Sequence, residues 1–357
     1  MMPSASSHAR FQITTGSRLH FGLYRFAPKQ WPSIEGRDAM DHPRDLTAQV
    51  ATEAWFGGVG LMIQDPTTCL EFEPHDHLVV QHDPTGRAID FIERWFRYVR
   101  DLHGSEIAEW PTTLQLPLRL TVRRSPPQHS GLGAGTQLAL AIGQGLSRFF
   151  LGSELSPEDL ARSVGRGLRS AVGTHGFFRG GLIVDRGKSQ ANQLGVLDGA
   201  FRLPEEWRVV LIMHRNSSAI HGARELHAFD VLPEIPAQTT QRLQQLSRDA
   251  IVPSVLADDF ETFADSVYEY GIAAGHCFSQ IQGGPFASAR AQGWVEQLRD
   301  WGFHGVGQSS WGPTLFCFAK NTEHADHLVA KIETSLQATE SVIVTQPQVG
   351  PARIQLL

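Results

Sequence analysis

The chain has 357 residues with a formal net charge of −6, and 41% of its residues are hydrophobic. This length is enough for two domains, and the composition is that of a globular core rather than a disordered or fibrous protein. The slight acidity argues against a protein that binds nucleic acid through bulk positive charge.

The cysteines and the apolar segments predict a cytoplasmic protein. Cys69, Cys277 and Cys317 lie far apart and form no CxxC pair, which excludes a disulfide framework and disfavours structural zinc. The longest apolar runs are far shorter than the roughly 20 residues that span a bilayer. We therefore expect a protein of a reducing compartment, with neither a membrane nor a nucleic acid as its partner.

The first third of the chain predicts strands and one helix. Residues 11–24 and 55–63 have strand character, whereas 27–48, rich in Pro, Asp and Arg, predicts an irregular surface loop. Apolar residues at helical spacing predict a helix over 83–104. Alternating apolar residues over 114–122 predict a strand with one buried face.

The rest of the chain predicts an α+β protein with two domains, residues 1–204 and 205–357. Pro204 to Trp207 marks the boundary between them. The predicted elements are helices at 137–150 and 156–169, a glycine-rich loop at 172–187, a strand at 208–215, helices at about 238–252, 258–281 and 286–301, a glycine turn at 304–313, a helix at 322–336 and a final strand at 340–347.

The segment SPPQHSGLGAGTQLALA, residues 125–141, predicts a binding loop for phosphate. A strand ends before it, prolines fix the entry, and glycines remove side chains just before an apolar helix. The first turn of a helix leaves about four backbone N–H groups without partners, and these donors attract anions. The segment is not a Walker loop, because no GK[ST] follows, and it lacks the G-x-G-x-x-G of a dinucleotide fold. A tight turn packed against another backbone is the alternative interpretation.

This loop and its neighbours resemble a known family. P-x-x-x-G-L-G over 127–133 resembles the second motif of the GHMP superfamily of small-molecule kinases. The continuation GLG-x-GTQLALA, with SRLHFGL at 17–23 before it and VGTHGFFRGGLIVDRG at 172–187 after it, resembles the β-ribofuranosylaminobenzene 5′-phosphate synthase branch. HGVGQSSWGP at 304–313 resembles the third glycine motif of the superfamily.

The resemblance implies a fold and a reaction. The fold would pair an N-terminal domain like domain 2 of ribosomal protein S5 with a C-terminal ferredoxin-like domain. The reaction would be the condensation of phosphoribosyl pyrophosphate with 4-hydroxybenzoate or 4-aminobenzoate in tetrahydromethanopterin biosynthesis, with loss of pyrophosphate and CO2. The resemblance also implies a homodimer and Mg²⁺ bound with the pyrophosphate substrate.

Two departures from the kinase pattern favour a synthase over an ATP-dependent kinase. The Ser that follows G-L-G in the kinases is Ala134 here, and no Asp precedes Gly180-Gly181. Without a carboxylate to orient an acceptor hydroxyl, phosphoryl transfer is weakened as a hypothesis. A kinase remains the alternative function, and a non-catalytic ligand-binding relative is a third hypothesis.

The candidate site residues follow from the chemistry of this reaction. Arginine forks and backbone amides would hold the pyrophosphate, and a histidine of near-neutral pKa would act on the acceptor. Phe21, Phe177 and Phe178 could line a slot for the benzoate ring. The predicted catalytic residues are His20, His175 and Arg169. The predicted residues for phosphate and substrate are Arg18, Gly131, Leu132, Gly133, Ala134, Gly135, Thr136, Gln137, Arg179, Gly307 and Ser309, and the wider set of arginines adds Arg123, Arg124 and Arg166.

Metal ligands are poorly marked in the sequence. HDHxxxxHD over 75–83 holds three histidines and two aspartates, but its spacing fits no standard ligand set. Mg²⁺ held mainly through a substrate pyrophosphate needs few protein ligands. The sequence therefore names no metal-binding residue.

Overall fold

The computed structural model describes residues 9–26, 54–103, 116–214 and 232–357. The predicted loop at 27–48 and the first residues of the strand predicted at 114–122 lie outside them. The strands are Phe11–Leu23 (β1), Gly58–Pro74 (β2), Val79–Gln81 (β3), Leu118–Arg124 (β4), Leu182–Asp185 (β5), Leu197–Phe201 (β6), Arg208–His214 (β7), Val306–Gln308 (β8), Leu315–Ala319 (β9), Glu340–Thr345 (β10) and Arg353–Leu356 (β11).

The helices confirm an α+β fold. In the described residues they are Ala88–His103 (α1), Ala134–Leu146 (α2), Pro157–Ser163 (α3), Val172–Arg179 (α4), Ala237–Gln245 (α5), Val252–Leu256 (α6), Phe260–His276 (α7), Ser279–Gln282 (α8), Ala289–Asp300 (α9) and Thr322–Glu333 (α10). Short π-helical turns continue α2 over Ser147–Leu151 and join α5 to α6 over Leu246–Ile251.

The described strands form two sheets. Seven of them make the first sheet, in the order β11-β1-β2-β4-β3, with β5 paired to β2 and β6 to β5. Four make the second sheet, in the order β10-β7-β9-β8. The predicted division at residue 204 stays a prediction, although the last strand of the chain pairs with β1 of the first sheet.

Apolar cores lie on both sides of this arrangement. The largest packs α1 and α2 against the first sheet, with Trp95 and Phe72 fully buried in it. A second core joins the two sheets, for example through Leu19 and Leu211, and α7 packs into it. A third lies beneath α9 and α10. The burial holds β1 between α2 and the second sheet, and β1 carries two of the predicted site residues.

The prediction of a glycine-rich loop over 172–187 is wrong for its first half, because these residues form helix α4. The glycines inside this helix allow close packing. A Cβ on Gly176 would lie 2.5 Å from the Met62 side chain, and one on Gly173 would lie 3.3 Å from Thr136. Tertiary contact thus outweighs the low helix propensity of glycine. The sequence also missed β11, since its prediction ended with the strand at 340–347.

Candidate active site

The start of α2 carries unpaired backbone amides. The amides of Thr136 and Gln137 both donate hydrogen bonds to the Gly133 carbonyl, at 2.9 and 3.0 Å. In the described part of the chain, the amides of residues 133–135 donate to no protein carbonyl, and no side chain caps the helix. Amides in this position, together with the helix dipole, attract anions.

Arg18 lies directly beside these amides. It is on β1, and its backbone amide donates to the Leu132 carbonyl at 2.9 Å. A Cβ built on Gly133 would lie 3.0 Å from Arg18 Nε and 3.6 Å from its Cζ. Gly133 also has a φ of +70°, which glycine adopts without strain. Glycine at this position therefore gives both the turn and the room for a guanidinium group.

Two further arginines approach the same turn from another side. A Cβ built on Gly135 would lie 3.3 Å from Arg87 Nη1 and 3.6 Å from Arg166 Nη2. Both guanidinium groups also lie close to the ring of Phe91, at 5.0 and 4.9 Å from its centroid. Three positive charges thus surround three free amides at the start of α2.

A network of hydrogen bonds around Asp83 fixes the backbone position of Arg87. The Asp83 carboxylate accepts from the Thr85 amide and hydroxyl and from the Ala88 amide, at 2.7 to 2.9 Å. The Thr85 hydroxyl in turn accepts from the Arg87 amide at 2.9 Å. Partial burial raises the pKa of Asp83, but these hydrogen bonds together hold it below its ordinary value. The carboxylate therefore starts α1 and sets the backbone of Arg87.

The third glycine motif, at 304–313, contacts the loop at 130–136 from the side of the second sheet. The buried Ser309 hydroxyl donates to the Gly131 carbonyl at 2.7 Å and accepts from the His20 amide at 3.0 Å. A Cβ on Gly131 would lie 2.3 Å from the Ser309 carbonyl oxygen. Gly307 packs instead on Phe316, whose Cζ lies 2.4 Å from its would-be Cβ. Ser309 therefore ties the loop to β1, and Gly307 serves the packing.

Other residues of the loop form its buried scaffold. Gln137 is fully buried: its amide oxygen accepts from the Thr15 hydroxyl and its amide nitrogen donates to the Gly173 carbonyl, both at 2.9 Å. Leu132 and Ala134 are also buried. These side chains hold α2 against β1 and α4, and they leave the binding to the backbone and the arginines.

His20 lies two residues beyond Arg18 on the same face of β1. Its Nε2 lies 3.0 Å from the Ser170 hydroxyl, which lies 3.3 Å from Asp185 Oδ2. Burial, together with the charge of Arg18, lowers the pKa of His20 well below its ordinary value of 6.5. The imidazole is therefore neutral at neutral pH and able to accept a proton.

The environment of Asp185 sets the tautomer of this histidine. The carboxylate is fully buried and accepts the amides of Ala171 and Gly187 at 2.6 and 2.9 Å. Burial raises the pKa of Asp185 to about 6, so it is mainly ionised at neutral pH. The negative charge of Asp185 favours a hydrogen bond donated by the Ser170 hydroxyl to the carboxylate. The Ser170 oxygen then accepts a hydrogen bond from Nε2–H of His20. Nδ1 of His20 is thereby left as the proton acceptor.

A buried lysine holds the segment that leads to Ser170. Lys188 Nζ donates to the carbonyls of Gly167, Leu168 and Ala191, at 3.1, 2.6 and 3.1 Å. Burial lowers the pKa of Lys188 to about 8, and the nearby carboxylate opposes this shift. All three ammonium protons have acceptors, so Lys188 stabilises the loop between α3 and α4.

Comparisons with known proteins find relatives over part and over most of the chain. The model of the GHMP kinase N-terminal domain family matches residues 90–178. The β-ribofuranosylphenol 5′-phosphate synthase of Methanothermobacter thermautotrophicus is 27% identical over 307 residues, which cover 81% of this chain and 88% of the relative. The synthase of the same name from Methanocaldococcus jannaschii is 24% identical, with 86% and 88% covered. The chain is thus similar to synthases of this name over most of its length, and it matches the GHMP kinase N-terminal domain family over part of it.

Solved structures of the superfamily share the fold at low sequence identity. A homoserine kinase from Cytophaga hutchinsonii superposes with a TM-score of 0.61 at 13% identity, covering 98% of both chains. A mevalonate diphosphate decarboxylase from Staphylococcus aureus also gives 0.61, at 12% identity, covering 97% of this chain and 98% of that one. These likenesses confirm the predicted GHMP fold.

The structure places two of the predicted site residues, His175 and Arg179, away from the start of α2. His175 lies within α4, and its Nε2 bonds the Gly195 carbonyl at 2.7 Å, on the opposite side of the helix from Gly173. Arg179 is exposed at the far end of α4. Arg169 is half-buried beside Ser170 in the sequence. Their roles stay predictions, and the proposal below rests on His20 instead.

Two of the phenylalanines predicted to line an acceptor slot are core residues. Phe21 packs on Phe316 between the two sheets, with 5.3 Å between the ring centroids. Phe177 is buried in the largest core and packs on Phe178, also at 5.3 Å. Their burial explains the hydrophobic character of the motifs in which they lie.

Arg87 and the role of Ser170 were not predicted from the sequence. Arg87 directly precedes α1 and lies in no motif, so only the packing of α1 on α2 shows where it points. Ser170 lies two residues before the VGTHGFF motif, and its nearness to that motif was the available signal.

The described residues contain no group of three or more His, Cys, Asp and Glu side chains that could hold a metal ion. His75 Nδ1 instead bonds the His77 carbonyl at 3.0 Å, and Asp83 starts α1. In the same part of the chain, no helix has the length and apolar character needed to cross a membrane.

Proposed function

We propose that this protein transfers a phosphoribosyl group from phosphoribosyl pyrophosphate to a 4-substituted benzoate, with release of pyrophosphate and CO2. The observation that carries the proposal is the convergence of Arg18, Arg87 and Arg166 on the free amides of residues 133–135. A leaving pyrophosphate gains negative charge as its bond to the sugar breaks. Guanidinium groups and fixed amides stabilise such charge most strongly when they are in place before the reaction.

His20 supplies the proton chemistry in this proposal. The ring carbon that bears the carboxylate attacks C1 of the ribose, and the bond from C1 to the pyrophosphate oxygen breaks. Nδ1 of His20 accepts the proton of the group para to that carbon, which strengthens the carbon as a nucleophile. The bond to the carboxylate then breaks, CO2 leaves, and its electron pair restores the aromatic ring. The proton returns from His20 to the para substituent.

The acceptor is proposed to be 4-hydroxybenzoate, because the relatives are named for a phenol product. The pyrophosphate is proposed to bring Mg²⁺ with it, and the ion would share in neutralising the leaving group. Thr136, in the first turn of α2, is a nearby source of a hydroxyl oxygen for that ion. Oxygen ligands from substrate and solvent satisfy Mg²⁺ with few protein groups.

The test is the release of labelled CO2. The full chain is incubated with phosphoribosyl pyrophosphate, Mg²⁺ and carboxyl-labelled 4-hydroxybenzoate, and the labelled gas and the pyrophosphate are measured together. We expect the two in equal amounts. Arg18→Ala should lower the rate by about a hundredfold, since one fixed charge on the leaving group is lost. Arg97→Ala, an exposed arginine on α1, is the matched control.

Absence of labelled CO2 with the unmodified chain would contradict the proposal. A parallel incubation replaces phosphoribosyl pyrophosphate with ATP and the acceptor with small alcohols. Transfer of phosphate in that incubation, without decarboxylation in the first, would favour a kinase. Saturable binding of the phosphosugar without turnover in either would favour a binding protein.

A further inference from the structure

The Ser170 hydroxyl lies between three partners from three segments of the chain. Its oxygen lies 3.0 Å from Nε2 of His20 on β1 and 3.3 Å from Oδ2 of Asp185 on β5. It also accepts a hydrogen bond from the amide of Val172, the first residue of α4, at 3.2 Å. One small side chain thus joins β1, β5 and the start of α4.

The hydrogen-bonding capacity of this hydroxyl decides which atom donates in each contact. A serine hydroxyl has one proton to donate and two lone pairs that accept. The Val172 amide can only donate, so it uses one lone pair. The ionised Asp185 carboxylate can only accept, so it takes the hydroxyl proton. Nε2 of His20 must then donate to the second lone pair, which places the proton of the neutral ring on Nε2.

The Asp185 carboxylate is held in one orientation relative to Ser170. Its Oδ2 also accepts the Ala171 amide at 2.6 Å, and its Oδ1 accepts the Gly187 amide at 2.9 Å. A Cβ built on Gly195 would lie 2.4 Å from Oδ1, so the segment before β6 closes over the carboxylate. These contacts on both oxygens prevent the carboxylate from turning away from the hydroxyl.

Helix α4 connects the same hydroxyl to the start of α2. The helix begins two residues after Ser170, and the carbonyl of its Gly173 accepts from Gln137 Nε2 at 2.9 Å. A Cβ built on Gly173 would lie 3.3 Å from the Thr136 side chain. Thr136 and Gln137 belong to the first turn of α2. Ser170 and the first turn of α4 therefore link His20 to the turn that carries the free amides.

We propose that Ser170 is a positioning residue, which holds His20 as the tautomer with its proton on Nε2 and so keeps Nδ1 ready to accept a proton. This role rests on the proposed function, in which Nδ1 takes the proton of the para substituent. Nδ1 makes no hydrogen bond with the described residues. Once it is protonated, the imidazole is positive, and the negative charge of Asp185 stabilises it across the shared hydroxyl. Return of the proton to the para substituent restores the neutral ring.

The position of the ring proton is tested by NMR of the full chain with nitrogen-15 in its histidines, and His20→Gln assigns the signals. We expect a single Nε2–H tautomer for His20 at neutral pH. Ser170→Ala removes the acceptor, so both tautomers should become populated and the shifts of the two ring nitrogens should approach each other. Ser170→Thr keeps the hydroxyl and should keep the original pattern. An Nδ1–H tautomer in the unmodified chain, or an unchanged pattern in Ser170→Ala, would overturn the proposal.

The effect on turnover separates positioning from stability. Ser170→Ala should lower kcat by about tenfold to a hundredfold and change KM for phosphoribosyl pyrophosphate by less than about threefold, because the hydroxyl contacts the base and not the leaving group. Ser170→Thr should restore kcat. Ser156→Ala is the matched control, since the Ser156 hydroxyl also accepts a helix-start amide and donates to a carboxylate, both of Asp159.

The control should leave kcat unchanged, and thermal unfolding of both alanine variants measures any loss at the helix starts. An unchanged kcat in Ser170→Ala would contradict the positioning role. The NMR experiment needs no turnover. A tautomer that depends on Ser170, in a chain that releases no labelled CO2, would therefore reject the proposed reaction and keep the link between Ser170 and His20.

Discussion

The two glycine turns of the molecule look alike in sequence and differ in what their glycines face. In the turn at 130–136, Gly133 and Gly135 face the guanidinium groups of three arginines. In the turn at 304–313, Gly305 faces Ala264 and Phe318, and Gly307 faces the Phe316 ring. The first turn leaves amides free for a ligand, whereas the second is filled by the protein itself.

This difference separates two reasons for a glycine. A glycine that faces a flexible charged side chain makes space that a ligand can share. A glycine that faces a buried ring makes space that is already used. Gly131 belongs to the second class although it lies in the first turn, because the Ser309 carbonyl fills its Cβ position. The turn packed against another backbone, considered as an alternative from the sequence, thus describes Gly131 but not Gly133.

The substitution Gly133→Val is the strongest test of the difference between the two glycine turns. The valine side chain would enter the space of the Arg18 guanidinium and cover the free amides, so we expect the affinity for phosphoribosyl pyrophosphate to fall by about a hundredfold or more. Calorimetric titration measures this loss. Gly152→Val is the matched control: it has a similar φ of +66° and open space around it, so it repeats the backbone strain without touching the site. Retained affinity in Gly133→Val would show that the loop is only a turn.

The second glycine turn predicts a loss of stability. In Gly307→Ala the new methyl group would lie 2.4 Å from Cζ of the buried Phe316, so we expect the free energy of unfolding to fall by about 1–3 kcal/mol. Denaturant titration measures it. Gly293→Ala, within α9 and in open space, should instead raise the stability by up to about 1 kcal/mol through helix propensity. An unchanged midpoint for Gly307→Ala would contradict the packing of this turn.

The smallest expected effect is on the pH profile of turnover. His20 acts as a base only when neutral, and its pKa lies well below 6.5. As the pH falls through about 6, Asp185 takes up a proton and its charge no longer holds the Ser170 hydroxyl. We therefore expect kcat to be constant on the acid side down to about pH 6 and to decline below it. His20→Gln should remove this decline along with most of the activity, whereas a decline that begins above pH 7 would contradict the assignment of His20.

The sequence predicted most of the fold because its strands and helices have strong local patterns. The strand at β4 alternates, the helix at α2 is mostly apolar, and the loop between them carries a recognisable motif. It failed at α4, where glycines that serve close packing were interpreted as a loop. It also failed at β11, a four-residue strand whose pairing partner, β1, lies at the other end of the chain.

The candidate site was predictable where one segment carries it and unpredictable where several segments meet. Arg18, His20 and the loop at 131–136 lie inside motifs. Arg87 reaches the site only because α1 packs on α2, and the relation of Ser170 to His20 depends on β5 and the loop before α4. Such relations arise from packing between distant segments, which no local pattern of residues records.

The most direct test of the account is a crystal structure of the protein with phosphoribosyl pyrophosphate in the absence of acceptor. The account predicts pyrophosphate oxygens within about 3 Å of the amides of residues 133–135 and of the Arg18 guanidinium group. A sugar phosphate bound elsewhere, with those amides donating to carbonyl groups of the protein itself, would contradict it.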